Sequence, residues 1–403
     1  MDIALTMAYF ESNLFYQLMR VFLKYLLISV LFPCFLWTCT PSGKTPESGI
    51  GWENIALVEA RGFTIKKSGA NFLLEVLAPF PNAESSFRYL VLAELDAALD
   101  TTGFDAVIHL PTDKVVLTST TQIPHLDLLG SSNYLAGFPN LDLISSETVR
   151  KRINLGEVLD LGSGPTSNVE KVIELGPDWI MLSTLGNDLD QMDLYQRAGI
   201  PVVINGDYVE GTPLGRAEWI KFTGILLGKL DEATVVFDSI STAFSAAESL
   251  IQTSEGIEKP TVLSGVLYGD IWYAPGNKSW AAALVKSAGA EYIFSDLEGT
   301  GSMTLSYEYV LDRAQNTDFW IGAADFANLT AMSQADQRYL AFDAFRNQKV
   351  FTYTHKKGEK GGLLYFELGY VRPDLVLLDL IKILHPELLR EYELYFYTRL
   401  DEK

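Results

Sequence analysis

The sequence predicts an α/β protein: two lobes built on mainly parallel sheets, joined by one long helix and preceded by a small β extension. Three observations carry this reading. Short apolar runs such as Trp179-Ile-Met-Leu182 and Val202-Val-Ile-Asn205 are separated by helical segments, the pattern of strands covered on both faces. The same rhythm restarts after residue 260, with Thr261-Val-Leu-Ser264, Phe319-Trp-Ile-Gly322 and Val350-Phe-Thr-Tyr353. Between the two stretches, Ala233, Val236, Phe237, Ile240, Ala243, Phe244, Ala247 and Ile251 recur three or four apart. They form one apolar face of a helix over 230–253. At 1.5 Å per residue such a helix is about 35 Å long, enough to bridge two lobes. Periodicity alone also allows a covering helix of one lobe.

Composition narrows the function. The chain has 403 residues, 31 basic and 51 acidic, a formal charge of −20, two cysteines and four histidines. An acidic surface repels phosphate, so no nucleic-acid partner is expected. A 48% hydrophobic content excludes a disordered chain. Two cysteines cannot build a disulfide framework or a four-cysteine zinc site. Four histidines argue against a polyhistidine metal centre, and no metal ligand set is expected.

In chain order, residues 1–38 read as an export signal. Arg20 and Lys24 precede an uncharged apolar run to Thr38, which ends at Cys39. The run is short for a membrane span of about 20 residues. Leu36-Trp37-Thr38-Cys39 is a loose bacterial lipoprotein site, with Cys39 as the lipidated first residue of the mature chain. An uncleaved anchor, or export without a lipid, are the other readings. Residues 1–38 carry two acids and two bases, so the acidity belongs to the exported part. Residues 39–50 form a polar linker. Residues 51–113 hold β-like runs at Ala56–Glu59, Phe63–Lys66, Phe72–Leu77 and Tyr89–Ala93, and form the extension. The first lobe is expected over 114–229, opening with Val115-Val-Leu-Thr118 and a helix ending at Gly130. The second lobe, 254–403, includes helices at Ala281–Ala288 and Tyr307–Ala314.

These segments resemble the substrate-binding proteins of type II ABC importers for iron–siderophore, haem and cobalamin. The resemblance covers about residues 114–390. It rests on Lys114–Gly130, on Asn168-Val-Glu170-Lys-Val-Ile173 with Pro177-Asp178-Trp179-Ile180, and on Ala198-Gly-Ile-Pro-Val-Val203. It continues through Leu305-Ser-Tyr-Glu308-Tyr-Val-Leu311 and Phe366–Pro386, the last similar to members from Bacteroidetes-type bacteria. Each motif is weak alone; their order and spacing are specific. The resemblance implies two Rossmann-like lobes, a single-helix hinge and a ligand groove between the lobes. It implies an ABC permease dimer with its ATPase as partners, a small-molecule metal chelate as ligand, and a membrane tether through the lipid. It also implies that Glu170 and Glu308, one per lobe, dock on arginines of the permease. The bland reading is that each carboxylate stabilises the helix start it occupies.

The candidate ligand contacts are Thr118, Ser119 and Thr120 after the first strand, and Gly164 in the Gly162–Thr166 loop. Trp272, Tyr273 and Lys278 lie in a second-lobe loop with three aromatics beside one cation, suited to stacking a macrocycle or a chelate. The alternative is that Trp280 packs in the core and Tyr273 alone faces the groove. Arg216 and Lys278 could neutralise an anionic complex, or be ordinary surface charges. His125 could face the groove; His109 and His385 read as structural. The basic loop His355–Gly362 is a lid or a solvated connection. Cobalamin-binding relatives carry groove tryptophans where this chain, by approximate alignment, has Gly164, Ser183 and Ser302; only Tyr273 keeps an aromatic. A siderophore or haem is therefore the expected cargo, with a corrinoid as the alternative. No catalytic residue is expected: the sequence lacks a G-x-x-x-x-G-K-[ST] loop, a G-x-S-x-G elbow and an H-E-x-x-H pair. An enzyme or a non-transport surface lipoprotein remains the rival from another class.

Overall fold

A computed structural model describes residues 51–93, 100–162, 168–186, 189–254 and 256–402. Cys39 and Gly164 lie outside the described residues. No helix among the described residues is long and apolar enough to cross a membrane.

The extension is a five-stranded sheet. β1 (Glu53–Ile55), β2 (Phe63–Ser68), β3 (Asn71–Val76) and β4 (Phe87–Leu92) run antiparallel in sequence, and β5 (Ala106–His109) lies parallel to β4. The run Ala56–Glu59, expected as a strand, is not one. Its backbone donors serve a carboxylate instead of a neighbouring strand. Glu218, from the first lobe, accepts the N–H groups of Val58, Glu59 and Ala60 at 3.0, 2.7 and 2.8 Å. Glu210 likewise accepts those of Arg61 and Gly62 at 3.0 and 2.8 Å. Two buried acids thus pin the segment before β2 to the first lobe.

The first lobe alternates strand and helix: β6 (Val115–Leu117), α1 (Ile123–Leu128), β7 (Leu135–Phe138), α2 (Glu147–Asn154), β8 (Leu159–Asp160), α3 (Val169–Leu175), β9 (Trp179–Leu182), α4 (Leu189–Arg197) and β10 (Val202–Ile204). Its strands pair in parallel in the order β10-β9-β6-β7-β8. The period of two divides each strand between two cores. Val115, Leu117, Trp179 and Met181 enter the main core, while Val116, Ile180 and Leu182 enter a smaller one on the opposite face. This double burial is why the strands read as continuous apolar runs.

α5 (Pro213–Leu226) is buried along its length, and α6 (Leu230–Gln252) follows it. α6 buries Ala233, Phe237, Ile240, Phe244 and Ala247. A side chain at Gly224 would put its Cβ 2.5 Å from that of Ala233, so a glycine is required where α5 and α6 approach.

The second lobe contains β11 (Thr261–Ser264), β12 (Val266–Tyr268), β13 (Ile271–Pro275), α7 (Trp280–Ser287), β14 (Glu291–Tyr292), β15 (Ser302–Ser306), α8 (Tyr307–Ala314), β16 (Phe319–Ile321), α9 (Leu329–Ala335), α10 (Asp343–Arg346), β17 (Val350–Thr352), α11 (Leu364–Leu368), α12 (Pro373–Leu384) and β18 (Thr398–Arg399). Its main sheet, β14-β11-β16-β17-β18, is parallel except for β18. The chain's tail is fixed by buried Asp379, which accepts the N–H groups of Tyr395, Phe396 and Tyr397 at 2.7, 2.6 and 3.0 Å. The long helix α6 packs against both α5 of the first lobe and α12 of the second, so it joins the two lobes. A separate antiparallel sheet, β12-β13-β15, stands beside the second lobe.

Candidate ligand-binding site

A cavity of about 360 Å³ opens where the second-lobe strands end. Ser264 ends β11 and Gly265 follows it, Ile321 ends β16 and Gly322 follows it, and Tyr353 follows β17. This is the carboxyl edge of a parallel sheet, where open α/β folds place ligands. Gly265 permits the wall to close, because a Cβ there would lie 2.0 Å from the carbonyl oxygen of Tyr273, at a φ of +93°. From the first lobe, Tyr208 and Arg216 complete the lining. The cavity is therefore an inter-lobe groove.

Rings dominate it. Tyr353 and Tyr365 stack at 5.1 Å, and Tyr397 donates a 3.2 Å hydrogen bond to the Tyr365 hydroxyl. Trp280 meets Tyr370 edge-on at 4.8 Å. Burial pushes the phenols of Tyr353, Tyr365, Tyr370 and Tyr397 upward, so they stay protonated at neutral pH and present O–H groups. The cation is Arg216, near the start of α5 and 7% exposed. Its guanidinium lies 3.5 Å over the Tyr370 ring, a cation–π contact across the lobes. Its Nε is 3.5 Å from Asp207. Burial pushes the Asp207 carboxyl up, and Arg216 pulls it back.

The residues singled out from the sequence divide sharply. Tyr273 and Arg216 line the groove. Trp272 does not: it is fully buried, 5.2 Å from Trp320 and 5.5 Å from Phe342, and its Nε1 donates to the Ser264 carbonyl at 3.0 Å. The segment read as a loop is a strand, and alternation turns Trp272 and Ala274 inward and Tyr273 outward. Trp280 is buried yet also lines the groove. Lys278 stays on the surface, paired with Glu298 at 3.4 Å, and is outside the lining.

Thr118, Ser119 and Thr120 are likewise outside the lining. The polar groups of Thr118 and Ser119 satisfy the first lobe itself. The Thr118 hydroxyl accepts from Ser183 N at 2.9 Å, and Ser119 caps the helical turn at 120–122 together with Gln122. His125 is buried against Thr223 Oγ1 at 2.7 Å, and burial pushes its imidazole down to about 4; it does not face the groove. His385 is a buried structural group bonded to the Ala288 carbonyl at 3.0 Å, whereas His109 is exposed on β5. The 355–362 loop is tied to both lobes at its middle: Lys357 pairs with second-lobe Asp325 at 2.8 Å, and Glu359 accepts from first-lobe Asn154 at 3.2 Å. Glu170 and Glu308 are exposed in the first turns of α3 and α8, capped by Asn168 and Ser306.

Sequence reasoning missed Tyr208, Tyr353, Tyr365, Phe366 and Tyr370 as groove residues. Tyr353 follows β17 and Tyr370 follows α11, a position that could have pointed to them, whereas Tyr208, Tyr365 and Phe366 carry no such local signal.

A second inter-lobe contact lies beside the groove. Glu367, on the short helix that carries Tyr365 and Phe366, accepts the backbone N–H groups of Ser145 and Ser146 at 2.5 and 2.7 Å. Ser146 caps α2 of the first lobe. Burial pushes the Glu367 carboxyl up to about 7; the two N–H donors oppose this, Asp127 adds to it and Arg150 opposes it.

An uncharacterized lipoprotein of Methanocaldococcus jannaschii is 28% identical over 303 residues, 73% of this chain and 70% of its own length. A possible iron-binding periplasmic solute-binding protein of Staphylococcus epidermidis shares the fold with a TM-score of 0.52 and 16% identity, over 68% of this chain and 99% of that one. The periplasmic haem-binding protein BhuT, solved with two haems, gives a TM-score of 0.51 and 16% identity, over 68% of this chain and 98% of that one. Residues 115–356, more than half the chain, match the periplasmic binding protein family, and with two parallel-sheet lobes facing one groove the chain belongs to that family.

Proposed function

We propose that this protein is the lipid-anchored solute-binding component of an ABC importer, capturing an iron chelate, either a siderophore or haem, and delivering it to the permease dimer and its ATPase. The observation that carries the proposal is the ring-lined groove with Arg216 stacked on Tyr370 at its wall. Ring faces, phenol O–H groups and one guanidinium suit a flat or aromatic anionic ligand whose metal is already wrapped in an organic chelator. A chain of charge −20 would repel such an anion at long range, and the buried cation supplies the local attraction. The structural neighbours, a possible iron-binding protein and a haem-binding protein, support this ligand class. A corrinoid is the second reading within the same family, favoured by the stacking surfaces alone.

In this proposal Cys39 carries the lipid, as the lipoprotein relative supports. Glu170 and Glu308, exposed at helix starts in separate lobes, contact the permease. The protein performs binding and hand-off. The test is an absorbance spectrum with metal analysis of the protein purified from its host, followed by titration with haemin, ferric catecholate, ferric hydroxamate and cyanocobalamin. A bound or titratable iron chelate is expected. A protein that binds only cyanocobalamin, or none of the four, defeats the proposal.

A further inference from the structure

The small sheet β12-β13-β15 has two unlike faces. Its register places Leu267, Trp272 and Leu305 together, and Val266, Tyr273 and Thr304 together. The first set packs inward, with Trp272 in the aromatic core. By alternation, the other face presents Tyr268, Ile271 and Tyr273, which are 81%, 44% and 39% exposed. Tyr273 is also a wall of the groove, so this outer face continues the groove beyond its mouth. Tyr268 stands edge-on to Tyr273, with ring centroids 6.5 Å apart and planes at 70°.

The hairpin tip that carries Tyr268 is braced from behind. Arg338 donates to the Gly269 carbonyl at 3.0 Å and to Asp270 at 3.1 Å, while held by Asp336 at 2.7 Å. The Tyr339 hydroxyl bonds the N–H of Leu267 at 3.2 Å. Exposed aromatic rings on a pre-ordered backbone lose little entropy when a ligand covers them.

We infer that Tyr268, Ile271 and Tyr273 form an outer ledge of the ligand site, on which the part of the chelate that protrudes from the groove stacks. The inference rests on the chelate-binding function proposed above. It assigns the cargo to chelates with a flat or aromatic portion reaching past the groove mouth, and makes Tyr268 a specificity-determining residue. The permease is the other surface that could cover the same face.

The test compares full-length wild-type protein with Tyr268→Ala and Tyr268→Phe, titrated with haemin, a ferric catecholate and a ferric hydroxamate and followed by intrinsic fluorescence. For the probe that wild type binds, Tyr268→Ala should weaken affinity about 3- to 10-fold, the range of an aromatic contact. Tyr268→Phe should restore it, with the thermal midpoint unchanged in both. Wild-type binding with Tyr268→Ala affinity within twofold overturns the ledge and leaves the chelate function standing. If that variant also fails in cellular uptake, the face belongs to the permease. No binding of any probe to wild type overturns the chelate function and the ledge with it.

Discussion

At the scale of single residues, Trp272 and Tyr273 are neighbours with opposite tasks. Trp272 closes an aromatic cluster with Trp320, Tyr339 and Phe342. Removing it leaves a cavity in the second-lobe core and should cost about 3–5 kcal/mol. Tyr273 borders the groove and solvent, so Tyr273→Ala should stay within about 1 kcal/mol of wild-type stability. It should instead lower affinity for the bound chelate. Denaturant melts and ligand titrations on the two variants separate the effects. Equal loss of stability would show that Tyr273 is a core residue. Arg216 combines both tasks: it is buried, holds Asp207 and stacks on Tyr370 across the lobes.

At the scale of elements, buried carboxylates accept backbone N–H groups where segments meet. Glu218 ties the segment before β2 to α5. Burial pushes its carboxyl up, but the Lys221 ammonium at 2.7 Å and the three backbone donors outweigh this and hold it below the usual carboxylate range. Glu218→Ala strands those donors and leaves Lys221 unpaired, a loss of about 3–5 kcal/mol. Limited proteolysis should then cut within 56–62; a variant as resistant and as stable as wild type would dismiss the clasp.

Glu367 joins α11 to the start of α2, and its folded pKa of about 7 exceeds the unfolded value of about 4.3. The joined state therefore binds the proton more tightly. This contribution is complete below the unfolded value and is lost as pH rises through about 7. Wild-type stability should fall between about pH 5 and pH 8 relative to Glu367→Gln, which does not titrate. Parallel curves for the two proteins across that window would refute the assignment.

At the scale of the whole molecule, the long helix α6 packs on elements of both lobes. Glu170 and Glu308 sit on separate lobes, exposed and outside any salt bridge among the described residues. Such charges are free to meet basic groups on a partner. The double variant Glu170→Lys with Glu308→Lys should lose cellular uptake while its ligand affinity stays at the wild-type value. Uptake at the wild-type rate would remove the docking role from both residues.

The sequence by itself determined the two-lobe α/β class, the strands at Trp179–Leu182 and Thr261–Ser264, and the helix from Leu230. These follow from local periodicity, which a chain carries in its side chains before it folds. The family motifs were legible for the same reason, since each is a short local run. The groove was legible only at Tyr273 and Arg216. Among its other walls, Tyr208, Tyr353 and Tyr370 are each unremarkable in their own segments, and Trp280 stands out only as a core alternative. Tertiary structure decided which rings face the cavity, because a strand's alternation becomes inside and outside only once its register and neighbours are set. It also decided the fate of Thr118 and Ser119, whose polar groups are spent on their own lobe, and of Lys278, whose charge stays at the surface with Glu298.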